Sequence, residues 1–502
     1  MLPPVLQLPD IWSSFYLECL AAILIYLVVS HRKGTSRRLP PSPPSDPLIG
    51  HARRIPLSHS WLTYSDWRKS LGDIYYVHVF GHFIFIVNSV KSARFLLEGR
   101  GSSTSNRPYS PVMNDLMGLG STLPFLPYAD RWRKQRRIMQ QYFGPQAIAM
   151  YRHIQEQEVH IFLRELLHSP QQFLTSSKRL IATISMKASY GNSVISASSH
   201  TDLLEIFVRV AEGISAVGDS GGTIIDLVPV LPIWFPSWFP GVRIKRHALQ
   251  IRTLMQNAMT IPVEELRSRR MEGQVETSFI SSVLDDIESS LVPDAELEED
   301  IKVIGLTYST VHAFFLSMVL NPEVVKKAHA ELDNLTRNGE RLLTMDDRPA
   351  LPYIDAIVKE VYRYHPGGPM GLPHATTHEE VYGDWTIPAG SVILGNIWEM
   401  MKDKENFPDP ERFLPDRHIQ NFGMDPDQKG DTEPGAIVDP SELVFGFGRR
   451  ICPGRYLADA TIWLTVANVL AVFDIKPYVD PESNMETPPI PSFTSGFTRL
   501  VR

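Results

Sequence analysis

Cysteine is almost missing from this chain: Cys19 and Cys452 are the only two in 502 residues. So distant a pair offers no disulfide framework and suits a reducing, cytosolic setting for the folded part. Positive charge is not in excess either. Lys and Arg total 49 against 56 Asp and Glu, a formal net charge of -7, and no long basic block occurs. That balance argues against a nucleic-acid partner. The apolar run near the N-terminus lacks the small-residue site at which a secretory signal is cut. What the chain does have is apolar content, 43% hydrophobic, enough for a large core in one big domain or two smaller ones, and enough to exclude disordered and fibrous classes.

The run Ile11 to Val29 is about long enough to cross a bilayer as one helix, with Glu18 as its single charge. His31, Arg32, Lys33, Arg37 and Arg38 follow, which by the positive-inside rule puts that flank in the cytosol. The sequence therefore predicts an uncleaved membrane anchor over 1–30. A basic, Pro-rich hinge over 31–50 includes the stiff stretch Leu39 to Pro47, and a catalytic domain over 51–502 follows. Ile74–Phe80 and Phe83–Val87 are β-rich and separated by Gly81-His82, a predicted hairpin. Most of the remainder has helical periodicity, with strands near the two ends. The fold class expected is mainly α with small β-sheets, α+β.

The stretch around which the rest is organised is Phe445-Gly446-Phe447-Gly448-Arg449-Arg450-Ile451-Cys452-Pro453-Gly454-Arg455. Glycines on both sides of Cys452 permit a tight, partly left-handed turn that approaches a flat ligand closely. Amides aimed at the sulfur, Arg449, Arg450 and Arg455 nearby, and a helix beginning after the turn all favour a metal-binding thiolate. With Phe445, Gly448, Arg450, Cys452, Gly454 and the apolar helix in one register, the chain resembles the cytochrome P450 family; Leu372-Pro373-His374-Ala375-Thr376-Thr377 and the string FLSMVLNPE resemble its fungal-type microsomal enzymes.

That resemblance spans the chain from the anchor to Phe497. It implies the fold of the family and heme b with Cys452 as axial ligand to the iron. It also implies a monooxygenase that takes electrons from NADPH through NADPH-cytochrome P450 reductase, on the cytosolic side of the endoplasmic reticulum membrane. Trp132 and Arg136, one helical turn apart, then face a haem propionate with His374 and Arg450, while Arg131, Arg133, Lys134 and Arg137 face outward. Glu360, Arg363 and Arg412 form a buried structural ion network; Glu264 and Arg267 share the spacing of its first two members but are expected on the surface. Pocket walls come from Tyr109–Phe125, Pro369–Leu372 and Phe493–Gly496, apolar or small residues that suit an apolar small molecule. The aromatic, Pro-rich stretch Thr223–Gly241 falls where the family has its substrate-access loop. Terpenoid or polyketide tailoring in secondary metabolism is the expected setting.

One family element is missing. The central helix carries no Ala/Gly-Gly-x-Asp/Glu-Thr string to relay protons to bound oxygen. Between Lys302 and Phe314 stands only VIGLTYSTVHA, roughly nine residues or two and a half helical turns short of the family pattern. Thr307, Ser309 and Thr310 offer hydroxyls, with no carboxylate beside them; Thr307 and Thr310 are the weak candidates for the relay. The short stretch after Arg499 is also less than the family pattern leads one to expect. A haem-binding protein with impaired oxygen activation, or one catalysing a redox-neutral isomerisation or dehydration, is the alternative expectation.

Overall fold

The computed structural model describes residues 38–196, 201–217, 243–274, 276–289, 308–336, 341–421, 438–480, 483, 485–496 and 498–499. The predicted anchor, Thr307, the stretch 223–241 and Phe497 lie outside these residues. No helix among the described residues is long and apolar enough to cross a membrane.

The predicted hairpin forms as β1 (Ile74–Val79) and β2 (His82–Val87), paired antiparallel with Ile74 opposite Val87. Its two-residue turn is Phe80-Gly81, one position earlier than the sequence suggested. Both residues have positive φ, 48° and 85°, the geometry whose twist matches that of the flanking strands. Two strands from far along the chain complete the sheet: β6 (Val392–Gly395) lies parallel to β2, and β3 (His374–Ala375) pairs with β6. The sheet thus ties His374 to the N-terminal region. β4 (Glu380–Tyr382) and β5 (Trp385–Ile387) form a separate ribbon.

Helices make up most of the rest. α1 (Ser60–Leu71) packs beside the sheet. α2 (Asp130–Phe143) begins with an acid in its first turn, which suits the positive end of the helix dipole, and buries Trp132, Gln135, Arg136 and Phe143. Arg133, Lys134 and Arg137 are exposed and Arg131 is half-buried, close to the two-faced helix expected. α3 (Arg152–His168) and α4 (Phe173–Tyr190) pack against each other, as do α5 (Thr201–Val217) and α6 (Arg243–Met271). Glu264 and Arg267 on α6 are exposed. α7 (Phe279–Ser289) and α8 (Tyr308–Leu320) follow.

α9 (Pro322–Thr336) and α10 (Pro352–Tyr364) both start with proline, whose missing N–H costs nothing at that position. α11 (Arg455–Val472) leaves directly from the cysteine turn and buries eleven residues from Ala460 to Leu470. The largest core joins α8, α10 and α11 through Phe314, Ile357, Tyr362, Trp463 and Val466, all at most 2% exposed. At about 25 cal/mol per Å² of apolar surface, this packing fixes α10 against α11. The cysteine turn and the helix carrying Glu360 and Arg363 are thereby held rigidly together.

Candidate active site

The cysteine turn is closed by one hydrogen bond, Cys452 N–H to Phe445 O at 2.9 Å. Gly446 and Gly448 adopt φ of 83° and 55°. At Gly448 a Cβ would also stand 2.3 Å from the Leu97 carbonyl oxygen, so no other residue fits there. Gly454 has an ordinary φ of -89° and opens α11; nothing lies within 4 Å of where its Cβ would be. Phe445 packs edge-on against Tyr362 of α10, ring centroids 5.7 Å apart.

Cys452 lines a cavity of about 450 Å³, together with Phe445, Gly446, Phe447, Pro453 and Gly454. Burial pushes its thiol up, and the Gly454 amide, Arg136 and Arg455 oppose that shift. The sequence assigned this opposing part to Arg449, Arg450 and Arg455. Only Arg455 fulfils it: Arg449 reaches out to the Tyr128 hydroxyl, and Arg450 is engaged with carbonyls.

Trp132, Arg136, His374 and Arg450 all line the same cavity, although 318 residues separate the first from the last. The Arg450 guanidinium donates to the carbonyls of Ser105 (2.7 Å), Leu123 (3.2 Å) and Leu126 (2.7 Å), and its carbon lies 4.5 Å from the centre of the Trp132 ring. Arg136 donates to the Ile451 carbonyl. Burial draws both guanidinium groups down to about 10; they remain cations at neutral pH.

His374 Nδ1 lies 3.0 Å from the Thr104 carbonyl and must donate to it, so in the neutral ring Nε2 is left as an acceptor. Burial first, then Arg107 and Arg450, holds the ring well below its usual range. An anion placed at Nε2 would restore the charge and make it a donor.

Arg107 is a site residue that the sequence reading missed. It lines the cavity and donates to the carbonyls of Pro124 (2.9 Å), Leu372 (3.1 Å) and Pro373 (2.6 Å). No spacing marks it, since the partners come from two distant loops. Of the predicted pocket walls, Leu123, Pro124, Met370, Gly371 and Leu372 do line the cavity, but 493–496 do not. Phe493 turns toward His365 and Arg499 instead, and Thr498 takes the wall position. Tyr109 is 63% exposed.

Ser309 and Thr310 reach the cavity from α8, the short central helix. No carboxylate lines the cavity among the described residues, in keeping with the missing acid of the central motif.

The expected ion network is present with one member changed. Arg363 donates to both carboxylate oxygens of Glu360 at 2.8 Å, and both side chains are fully buried. Arg412 does not join through its guanidinium. Its side chain is exposed, and only its carbonyl accepts from Arg363, at 3.0 Å, beside those of Met401 and Pro410. The basic partners of Glu360 are Arg417 (3.3 Å) and His418 (2.8 Å). The cause is a tight turn: Asp409 has φ 50° and its carbonyl accepts the Arg412 amide, which aims backbone oxygens inward and the Arg412 side chain outward.

Haem fits this cavity on donor chemistry. Among the described residues no group of three or more His, Cys, Asp or Glu could hold a metal, so an ion at Cys452 would take its remaining ligands from a non-protein group. The cationic rim of Arg107, Arg136 and Arg450, with no acid among the described lining, calls for an anionic partner such as a pair of propionates.

A family model described as Cytochrome P450 matches residues 40–496. The chain is 36% identical over 470 residues to Cytochrome P450 monooxygenase COX2 of Coprinopsis cinerea, covering 92% of this chain and 87% of that one. It is 32% identical to Tryptamine 4-monooxygenase of Psilocybe cyanescens, covering 93% and 92%. A zebrafish cytochrome P450 solved with progesterone superposes with a TM-score of 0.70 at 18% identity, covering 88% of this chain and 97% of that one, and shares the fold. This chain belongs to the cytochrome P450 family. It is a cytochrome P450 monooxygenase, of the class that uses a thiolate-bound haem and electrons supplied by a reductase.

Proposed function

We propose that the protein oxidises a neutral, apolar small molecule, by hydroxylation or a related insertion of one oxygen atom, with heme b ligated by Cys452. The observation that carries this reading is a single cavity with the Cys452 thiol on one wall and Arg107, Trp132, Arg136, His374 and Arg450 around it. When bound, the haem supplies oxygen activation. The protein's own part is to hold it, to exclude water and to place the substrate. The thiolate turn would hold the iron side, and the cationic set and the indole N–H would hold the propionates. Ile181, Ile184, Phe279, Met370 and Leu372 provide an apolar wall.

Ser309 and Thr310 are the groups placed to hold or move a proton at their hydroxyl oxygens; no hydrogen bond to a described residue engages either hydroxyl. One relative is named for tryptamine. The lining described here offers no carboxylate to an ammonium group, which supports a neutral substrate for this chain. Terpenoid or polyketide tailoring in secondary metabolism would be its setting, a reading that rests on the sequence resemblance alone. Electrons would come from NADPH through NADPH-cytochrome P450 reductase, docking on the exposed Arg133, Lys134 and Arg137. The apolar run over 11–29 would anchor the chain as a single pass in the endoplasmic reticulum membrane, with the catalytic domain in the cytosol.

The redox-neutral alternative rests on the missing acid of the central motif and draws no support from relatives named as monooxygenases. The test is direct. Protein reconstituted with haem, reduced and treated with CO should show the red-shifted Soret band of a thiolate-ligated ferrous haem. With reductase, NADPH and labelled O2, label should enter the product. Thiolate-ligated haem that rearranges substrate without incorporating label would overturn the monooxygenase reading.

A further inference from the structure

A chain of alternating charges runs behind the cysteine turn, and none of its charged members takes part in the contacts described so far. Tyr362, fully buried in the cavity wall, donates its hydroxyl to Asp459 at 3.1 Å. Asp459 pairs with Arg348 at 2.6 Å, and Arg348 with Asp355 at 2.6 Å. Lys359 then bridges Asp355 (3.2 Å) and Asp439 (3.1 Å). Asp439 in turn accepts from the Ser441 amide and hydroxyl, at the start of the segment that leads into Phe445.

The Tyr362 end of the chain touches the turn, and the Asp439 end lies at the start of the segment that leads into it. Tyr362 packs against Phe445, whose carbonyl receives the Cys452 amide. Asp459 sits four residues into α11, about 6 Å of rise from its first residue.

Among the described residues this chain sets three carboxylates against two cations, one more negative charge than positive. It is at most about one-quarter exposed at any member, and salt screens it weakly. Reduction of an iron held by Cys452 would add one electron to the cavity that Tyr362 walls, and the charge chain reaches that wall through the Tyr362–Asp459 hydrogen bond. Coulomb repulsion then disfavours the reduced form, and burial and charge around the ligand are among the means by which a protein sets a haem potential.

We propose that the Asp459–Arg348 pair, fastened to the cavity wall by Tyr362, sets the reduction potential of the iron held by Cys452. Asp459 and Arg348 are positioning residues here and touch no substrate. The proposal rests on the haem-thiolate reading above. The two are separable, because failure of that reading removes the thiolate Soret band, whereas failure of this one leaves the band and the potential unaltered.

The test is a spectroelectrochemical titration of the full-length holoprotein. Asp459→Asn removes a negative charge and should favour the reduced form at least threefold, about 28 mV positive at 59 mV per decade for one electron. Arg348→Gln removes a positive charge and should move the potential by at least as much in the negative direction. Lys359→Gln, further along, should share the sign of Arg348→Gln. Asp459→Glu keeps the charge and should restore the wild-type value. Loss of packing alone does not produce opposite signs from the two halves of one ion pair. Should Asp459→Asn fail to take up haem, Arg348→Gln and Lys359→Gln still decide the sign. Shifts of the same sign for the pair, or changes below threefold in every variant that binds haem, overturn the proposal.

Discussion

His418 Nε2 lies 2.8 Å from Glu360 Oε2, completing with Arg363 and Arg417 a buried cluster in which a single carboxylate meets two guanidinium groups and an imidazole. His418 and Glu360 are 58 residues apart. The cluster pins α10 to the stretch from Met401 to His418.

Removing one member should therefore be costly, and removing Arg412 should not. Arg363→Ala removes the two-pronged partner of the buried Glu360 carboxylate and leaves it with Arg417 and His418; it should lose about 3 kcal/mol, seen as poor haem retention and a fall in thermal midpoint. Arg412→Ala removes only an exposed side chain and should stay within about 0.5 kcal/mol of wild type. Equal losses in the two variants would show that the Arg412 guanidinium does enter the cluster.

Acid should weaken the same cluster. Burial pushes the Glu360 carboxyl up, but hydrogen bonds from Arg363 and His418 outweigh it and hold the group down to about 2, against 4.5 in the unfolded chain. Burial lowers His418 below 6.5 despite Glu360. In both cases the unfolded state binds more protons. The His418 contribution is complete above pH 6.5 and declines as pH falls below that. The Glu360 contribution is complete above pH 4.5 and declines as pH falls toward 2. Denaturant midpoints measured down the pH scale should drop through these windows for wild type. The upper step should be smaller in His418→Asn; an identical pH profile in that variant would contradict the assignment.

Gly448 and Gly446 are predicted to differ. Alanine at Gly446 meets only the strain of positive φ, about 1–2 kcal/mol, because nothing lies within 4 Å of its Cβ position. Alanine at Gly448 carries the same strain and also strikes the Leu97 carbonyl oxygen at 2.3 Å. It should displace the turn and abolish haem uptake, whereas Gly446→Ala should retain it. Soret absorbance after expression with added haem precursor reads both.

Around the rim, Arg107→Ala and Arg136→Ala should each weaken haem binding by roughly 1.5–3 kcal/mol, the range for hydrogen bonds to charged groups. The readout is haem transfer to apomyoglobin. Transfer from Arg107→Ala at the wild-type rate would remove Arg107 from the haem-holding set.

For oxygen activation, Thr310→Val and Ser309→Ala test the two hydroxyls in α8. Loss of the one that serves the proton path should cut product formation on the order of 10²-fold while NADPH is still consumed. Product yields unchanged in both variants would assign the path to other groups.

The parts legible in the sequence were those written in short local patterns. Cys452 with its glycines, Trp132 and Arg136 on one face of α2, Glu360 with Arg363 in α10, and the β1–β2 hairpin all follow from spacing, because helix and turn geometry relate residues a few positions apart. His374 and Arg450 were named through resemblance, and both line the cavity. Arg107, Arg417 and His418 carried no such mark. Their partners lie across the chain, and only packing brings them there.

Arg412 shows the limit most clearly. It stands in the expected segment, yet the positive φ of Asp409 turns its carbonyl inward and its charge outward. The turn from Phe445 to Arg455 was legible in the sequence, because glycine is the residue that takes the positive φ found at Gly446 and Gly448. Which charges surround it was decided by tertiary structure. Burial selects which distant side chain reaches a carboxylate, and the path of the backbone selects whether a residue offers its side chain or its carbonyl.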